Sequence, residues 1–257
     1  MFRRQKVTSA IALLAVGAGV FFACSDSTSP DLSGTFFGAS SPMATGSGRA
    51  YVTLDRAGKP AEIGVSLTEA ALVGLPAAIT EYGFALPPEA SATPYKIAAI
   101  NWQPTGHPPM NIFTVPHFDV HFYTITTAER DVISPTDPQF ATKMVRAPSA
   151  ALIPTGYTPD VQGIPRMGLH WADPTGPEFN GQPFGKTFIY GSYDGKFIFA
   201  EPMLTKAYLE SKPAAVATPV KLPAQYAVTG YQPTSYTVSY DAGAKEYRVA
   251  LTGLTLR

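Results

Sequence analysis

Hydrophobic and polar residues alternate over several short stretches of the chain, the pattern of strands that bury one face. Three hairpins are predicted: Tyr51–Leu54 with Glu62–Val65, Thr187–Tyr193 with Lys196–Ala200, and Tyr236–Tyr240 with Glu246–Leu251. Two further strands are predicted at Tyr95–Trp102 and Phe118–Thr126. The second hairpin encloses Asp194-Gly195, a pair that favours a tight turn. Short helices are predicted at Ser66–Ala70, Asp137–Val145 and Met203–Ser211.

Many short strands with few helices predict a mainly β or α+β fold. We expect an antiparallel sheet, arranged as a sandwich or a partly open barrel. The 257 residues include 25 prolines and 22 glycines, which fits frequent turns, and 45% hydrophobic residues exclude a disordered chain. The length fits one domain or at most two.

The first residues have the composition of an export signal. Three basic residues precede the uncharged run Val7–Ala23, so residues 1–23 are predicted to be a signal peptide. Cys24, the only cysteine, follows directly and resembles the lipidated cysteine of a bacterial lipobox. The expected location is therefore the bacterial cell envelope, with a lipid anchor in a membrane and the protein on the outer-membrane or periplasmic side. An ordinary secreted protein with a spare cysteine is the alternative.

Beyond Cys24, residues 24–47 are rich in Ser, Thr, Gly and Pro and predict a flexible tether. A single globular domain is expected from Gly48 to the end, residues 48–257. Without the signal peptide, sixteen basic residues face nineteen acidic ones, a net charge of −3. This balance provides no basic surface for nucleic acid. With one cysteine there is no internal disulfide, so stability must come from the core or from oligomerisation.

The histidines are the main chemical signal. Only four occur, and His107, His117 and His121 lie within fifteen residues, with His170 further on. If the predicted strand Phe118–Thr126 also includes the residue before it, one face of the strand carries the side chains of His117, Asp119, His121 and Tyr123. The aromatic and β-branched residues between them then form the core face. Imidazole and carboxylate ligands suit Zn, Cu, Fe or Ni.

Strand geometry limits which histidines can share an ion. Four residues of strand separate His117 from His121 by roughly 13 Å, too far for one metal unless the strand bends. His107, in a proline-rich loop, is a closer partner for His117, and His170 is a candidate third ligand. Asp119 and Tyr123 are expected to support the site.

Glu201 is the remaining candidate ligand. Simple pairing across the Asp194-Gly195 turn places it on one face with Phe197 and Phe199, beside Phe188 and Tyr190. A carboxylate at the end of an aromatic row is either an exposed strand end or a buried group with a partner. Both interpretations remain open from the sequence.

Several motifs together resemble an uncharacterised family of exported bacterial proteins, which includes a Thermus protein controlled by an extracytoplasmic sigma factor and its anti-sigma factor. The motifs are GHxP at 106–109, PHFDxHFY at 116–123, MGxHW at 167–171, TFIYGSYDG at 187–195 and EPM at 201–203. The resemblance covers roughly residues 50–209. It implies an exported, mainly β or α+β domain of unknown activity, with a homo-oligomeric state and a link to envelope stress as further expectations. It assigns no catalytic residues.

Two functional hypotheses follow. In the first, an exported lipoprotein binds a divalent metal or a small ligand through His107, His117, His121, His170 and Glu201. In the second, a non-catalytic envelope protein uses the same His/Asp/Tyr cluster as a buried hydrogen-bond network. Whether the protein is an enzyme stays open.

Overall fold

A computed structural model describes Met1 and residues 31–257. The fold below is that of the unit Asp31–Arg257. The predicted signal peptide, Cys24 and the first part of the predicted tether lie outside the described residues. No helix within the described part of the chain is long and apolar enough to cross a membrane.

Two seven-stranded antiparallel sheets and a two-stranded ribbon form the fold. The first sheet contains β1 Gly34–Phe37, β2 Ser41–Met43, β3 Gly46–Leu54, β4 Pro60–Thr68, β12 Thr218–Pro219, β14 Ser235–Asp241 and β15 Glu246–Thr252. The second contains β5 Thr80–Ala85, β6 Ile97–Gln103, β7 His117–Tyr123, β8 Thr158–Pro159, β9 Leu169–Ala172, β10 Lys186–Tyr193 and β11 Lys196–Thr205. The ribbon pairs β13 Tyr231–Gln232 with β16 Thr255–Leu256.

Strand order shows how each sheet is built. The first runs β1-β3-β4-β15-β14-β12, with β2 beside β3, and the second runs β5-β6-β7-β11-β10-β9-β8. Neither sheet closes into a barrel over residues 31–257. The helices are short, at α1 Thr127–Asp131, α2 Phe140–Val145 and α3 Lys206–Glu210, with 3₁₀ turns at Glu69–Leu72, Pro88–Ala92, Ala150–Leu152 and Pro177–Asn180. The expected mainly β, antiparallel class is confirmed.

The main core lies between the two sheets. In β4, Ile63, Val65 and Leu67 are buried at alternate positions, and in β7 Phe118 and Val120 are fully buried in the same cluster. Period-two alternation thus directs one face of each sheet inward. The opposite face of the second sheet is covered by loops instead of a sheet, and its candidate ligands lie there.

Two expected boundaries were wrong. β1, β2 and the start of β3 occupy residues predicted as tether, so the folded part begins by Gly34 and not at Gly48. Thr35 and Phe36 pair with β3, and these backbone hydrogen bonds define the strand within a segment whose overall composition is rich in Ser, Thr, Gly and Pro. Ser66 is a strand residue whose hydroxyl donates to Glu246, and the following turn begins only at Glu69.

Candidate metal-binding clusters

Alternation along β7 places four polar side chains on the loop-covered face. His117, Asp119, His121 and Tyr123 are each at most 3% exposed, while Phe118, Val120 and Phe122 belong to the main core. The predicted division of this strand into a polar and an apolar face is therefore correct. The polar row does not form one site: it contributes to two clusters of three ligand-type residues each.

The first cluster consists of His107, His117 and Asp119. His117 Nε2 lies 3.0 Å from Asp119 Oδ1, and His107 Nε2 lies 3.7 Å from Asp119 Oδ2. The two imidazole rings are 4.7 Å apart between centroids. His107 is 34% exposed at its side chain, so this cluster opens to solvent on one side.

Backbone carbonyls orient both imidazoles of the first cluster. His107 Nδ1 lies 2.6 Å from the Pro108 carbonyl oxygen, and His117 Nδ1 lies 2.7 Å from that of Val115. Because a carbonyl only accepts, each Nδ1 carries the proton and donates it. In the neutral rings, both Nε2 lone pairs then face the same carboxylate, the orientation that outer hydrogen bonds impose on metal-ligating histidines.

The loop between β6 and β7 brings His107 to the strand. The His107 amide donates to the Phe113 carbonyl, 3.1 Å away, and closes the loop on itself. Gly106 precedes it with a φ of 71°, and a Cβ at this position would clash with the Phe113 carbonyl oxygen. Phe113 and Phe184 pack against the imidazoles and shield the inner side of the cluster.

Gln103 is a part of this cluster that sequence reasoning missed. Its amide Nε2 donates to Asp119 Oδ2 over 3.0 Å, and its backbone pairs with His117. The predicted strand ended at Trp102, one residue too early, so the shared face was not recognised. Extending the 95–102 strand by one residue would have included Gln103, but its place opposite His117 depends on the register of β6 against β7, which the sequence pattern does not define.

Charge and burial act in opposite directions on the ionisation of this cluster. Burial alone would lower the pKa of His107, but the hydrogen bond and charge of Asp119 outweigh it and raise this pKa to about 9. Burial would raise the pKa of Asp119, but its contacts with His107 and His117 hold that pKa well below its usual range. Asp119 is thus ionised at neutral pH and available as a ligand.

The second cluster consists of His121, His170 and Glu201. Glu201 Oε2 lies 3.3 Å from His121 Nε2 and 3.7 Å from His170 Nε2. Burial would lower the pKa of His121, but the Glu201 carboxylate raises it. For His170 burial is the larger effect and lowers the pKa. Tyr123 stacks on His121 with ring centroids 5.4 Å apart.

A β-bulge explains why Glu201 reaches the histidines. Gly191 pairs with Phe199 and Ser192 with Phe197, which leaves Ile198 as the extra residue. Glu201 therefore lies opposite Ile189, and the expected row with Phe188, Tyr190 and Phe197 was wrong. Of the two interpretations of Glu201, the buried one is correct, since the residue is 1% exposed.

The structure also revises the grouping of the histidines. His170 was expected as a third partner of His107 and His117, but it lies with His121 and Glu201. The cause is strand order: β9, which carries His170, adjoins β10 beyond β11, whereas His107 follows β6 on the other side of β7. The predicted separation of His117 from His121 is consistent with their placement in different clusters.

Comparison with known proteins gives one family match. Residues 55–102 match the TTHB210-like family, described as hypothetical protein TTHB210. This agrees with the expected link to an uncharacterised Thermus family. The match ends at Trp102, before His107 and the other ligand-type residues, so it carries no information about either cluster. No curated protein and no solved structure matches the chain.

Proposed function

We propose that this chain is a lipid-anchored protein of the bacterial envelope that binds a divalent transition metal through His107, His117 and Asp119. The observation that supports the metal most strongly is the convergence of two imidazole Nε2 atoms on one carboxylate. Both rings are fixed by carbonyl acceptors, and Gln103 holds the carboxylate from behind. The envelope location is supported by the basic and apolar residues before Cys24.

The ligand atoms of this cluster limit which metals it is expected to bind. Two imidazoles and one carboxylate suit Zn, Fe, Cu or Ni, and hard cations such as Mg²⁺ prefer all-oxygen sites. Three protein ligands leave at least one coordination position for water or a small molecule. The exposed edge of His107 provides the entry path. A bound metal would polarise such a water, and Asp119 would contribute negative charge that favours the cation.

A proton could also satisfy this cluster. If His107 is protonated, it forms an ion pair with Asp119, and the cluster becomes a structural network that knits the loop to the sheet. The raised pKa of His107 favours this second candidate function in the absence of metal. The two candidates differ in metal content and in how the melting temperature responds to chelation.

The deciding experiment is metal analysis of the full chain purified without a histidine tag. We expect metal after incubation with Zn²⁺, Cu²⁺, Ni²⁺ or Fe²⁺, and a higher Tm than in EDTA, because a ligand that binds only the folded state stabilises it. His107→Ala and Asp119→Asn should lose the metal of this cluster while the protein stays folded. The matched control is Glu246→Gln, which removes a carboxylate that pairs with Arg49 in the other sheet. This variant should keep the metal.

Absence of metal with all four ions would contradict the proposal. A Tm that does not change between metal and EDTA, together with a lower Tm for His117→Ala in EDTA, would instead support the structural network. In that version the loss comes from Asp119 Oδ1, which is left buried without His117, a cost of about 1–3 kcal/mol.

A further inference from the structure

We infer that His121, His170 and Glu201 form a second metal site, occupied by its own ion and separate from the first. The cluster contains four buried polar atoms without a hydrogen-bond partner among residues 31–257: both ring nitrogens of His121, Glu201 Oε2 and Tyr123 Oη. Two imidazole Nε2 atoms approach the same carboxylate oxygen at 3.3 and 3.7 Å. Unpaired polar atoms are unfavourable inside a protein, so this arrangement requires a partner that it does not itself contain.

A cation is the partner that fits two of these four atoms, His121 Nε2 and Glu201 Oε2, together with Nε2 of His170. Nε2 of His121, Nε2 of His170 and Oε2 of Glu201 lie close enough together to be ligands of one ion. Neutral rings that carry the proton on Nε2 would both have to donate to the one oxygen Oε2, and the 3.7 Å from His170 is too long for a hydrogen bond. An ion at the centre contacts all three ligand atoms at once, and the negative charge of Glu201 offsets part of the positive charge of the ion. Two imidazoles and a carboxylate again favour Zn, Fe, Cu or Ni.

The second site is distinct from the first. The clusters share no ligand, and Asp119 and His121 are two residues apart on β7, which separates their Cα atoms by roughly 6.5–7 Å. Two-metal catalytic centres hold their ions about 3.5–4 Å apart. The geometry therefore points to two neighbouring ions on one sheet face, each with its own carboxylate.

The surroundings of the second site are more enclosed. His121 and Glu201 are at most 2% exposed at their side chains, and only His170, at 18%, reaches solvent. Phe199 packs against both imidazoles, with ring centroids 4.7 Å from His121 and 5.5 Å from His170. We therefore expect the ion in this site to exchange more slowly than the one beside His107.

Equilibrium dialysis of the full chain against Zn²⁺, with zinc and protein measured together, tests the inference. Each site has its own set of ligands, which bind zinc in their deprotonated form. We therefore expect about two zinc ions per chain in the wild type and about one in His170→Ala, Glu201→Gln or His107→Ala. The double variant His107→Ala/His170→Ala should bind none. Glu246→Gln should bind as the wild type does. Circular dichroism confirms that each variant is folded.

The outcomes separate the two proposals. About one zinc ion, lost in His107→Ala and kept in His170→Ala, would overturn the second site and leave the first. The reverse pattern would overturn the first and leave the second, and no zinc would overturn both. If an alanine variant unfolds, His170→Phe and His107→Phe, which keep an aromatic ring but no ligand nitrogen, are measured in its place with the same expected zinc counts; a single zinc ion that is kept in His170→Phe and lost in His107→Phe overturns the inference.

Discussion

Each histidine of the first cluster has only one nitrogen free for a ligand. The Pro108 and Val115 carbonyls accept from Nδ1, so Nε2 is the atom available to coordinate a metal in both rings. In the second cluster, by contrast, neither nitrogen of His121 has a partner within the described fold, and its ring is held by stacking on Tyr123. The first cluster is thus oriented by hydrogen bonds and the second by aromatic packing.

Gln103 provides a test of this orientation. Its side chain holds Asp119 Oδ2 and is not one of the three ligand-type residues of the cluster, so we expect Gln103→Leu to weaken zinc binding at the first site by 10- to 100-fold. Zinc titration monitored by calorimetry measures the loss. Binding at the second site should be unchanged.

Gln103→Glu is the second variant, and we expect it to lower the Tm of the metal-free protein. It keeps the size of the side chain but replaces the donor by a second carboxylate, which must repel Asp119 in the metal-free protein. If Gln103→Leu leaves both zinc affinities at wild-type values, Gln103 has no positioning role.

At the level of single residues, sequence alternation predicted the polar face of β7 but not its partners. His117, Asp119, His121 and Tyr123 are consecutive members of one period-two row, which one strand suffices to define. The assignment of His170 and Glu201 to His121 depends on which strands are neighbours, and that is a long-range property. Gln103 was missed because strand ends are defined by pairing more than by local composition.

Among the elements, the bulged hairpin of β10 and β11 brings Glu201 to the second cluster. The extra residue Ile198 changes the face on which the following residues lie, so Phe199 and Glu201 reach the polar side. Opposite Phe199, Gly191 leaves room for the phenyl ring, because a Cβ there would overlap it. The close packing of the Phe199 ring against the Gly191 backbone fixes the position of this ring, which packs on both imidazoles.

Gly191→Ala tests the role of this contact. The added methyl group must displace Phe199, so we expect a loss of about 1–3 kcal/mol in the free energy of unfolding and weaker zinc binding at the second site. Chemical denaturation and zinc titration measure the two effects. The matched control is Gly83→Ala on β5 of the same sheet, where no atom lies within 4 Å of the new Cβ.

Equal stability of the two variants would show that the ring adapts without cost. In that event the packing of Phe199 does not determine the geometry of the second cluster.

Strands were predicted correctly where a turn sequence lies between two segments of alternating hydrophobic and polar residues. The hairpins at β3–β4, β10–β11 and β14–β15 were all expected and are all present. A bulge is not encoded by the alternation of residue types, since Phe197, Ile198 and Phe199 are all apolar. The helices were expected too long: α3 begins at Lys206, because the preceding residues pair with β7.

On the scale of the whole molecule, the two sheets have different roles. All six residues of the two clusters lie on or beside the second sheet, on the face away from the main core. The first sheet covers the opposite face and supplies much of the apolar core. Substitutions in the first sheet are therefore expected to act on stability, and those on the polar face of the second sheet to act also on metal content.

The proposed lipid anchor is tested separately from the metal. Expressed in a bacterium with its natural signal, the wild type should fractionate with membranes, and Cys24→Ser should be soluble, because a thioether-linked lipid requires the thiol. Fractionation and mass spectrometry of the mature N-terminus measure this. Ser25→Ala is the control and should stay membrane-bound; a Cys24→Ser variant that remains in the membrane fraction would contradict the anchor.

Every imidazole of this chain belongs to one of the two clusters. The sequence contains four histidines, His107 and His117 in the first cluster and His121 and His170 in the second. In a nuclear magnetic resonance spectrum of protein labelled with ¹⁵N-histidine, no ring signal originates elsewhere in the chain. The nitrogen shifts of these four rings distinguish protonated, neutral and metal-bound states. The natural sequence thus provides a label for each cluster, without a background that would have to be removed by mutation.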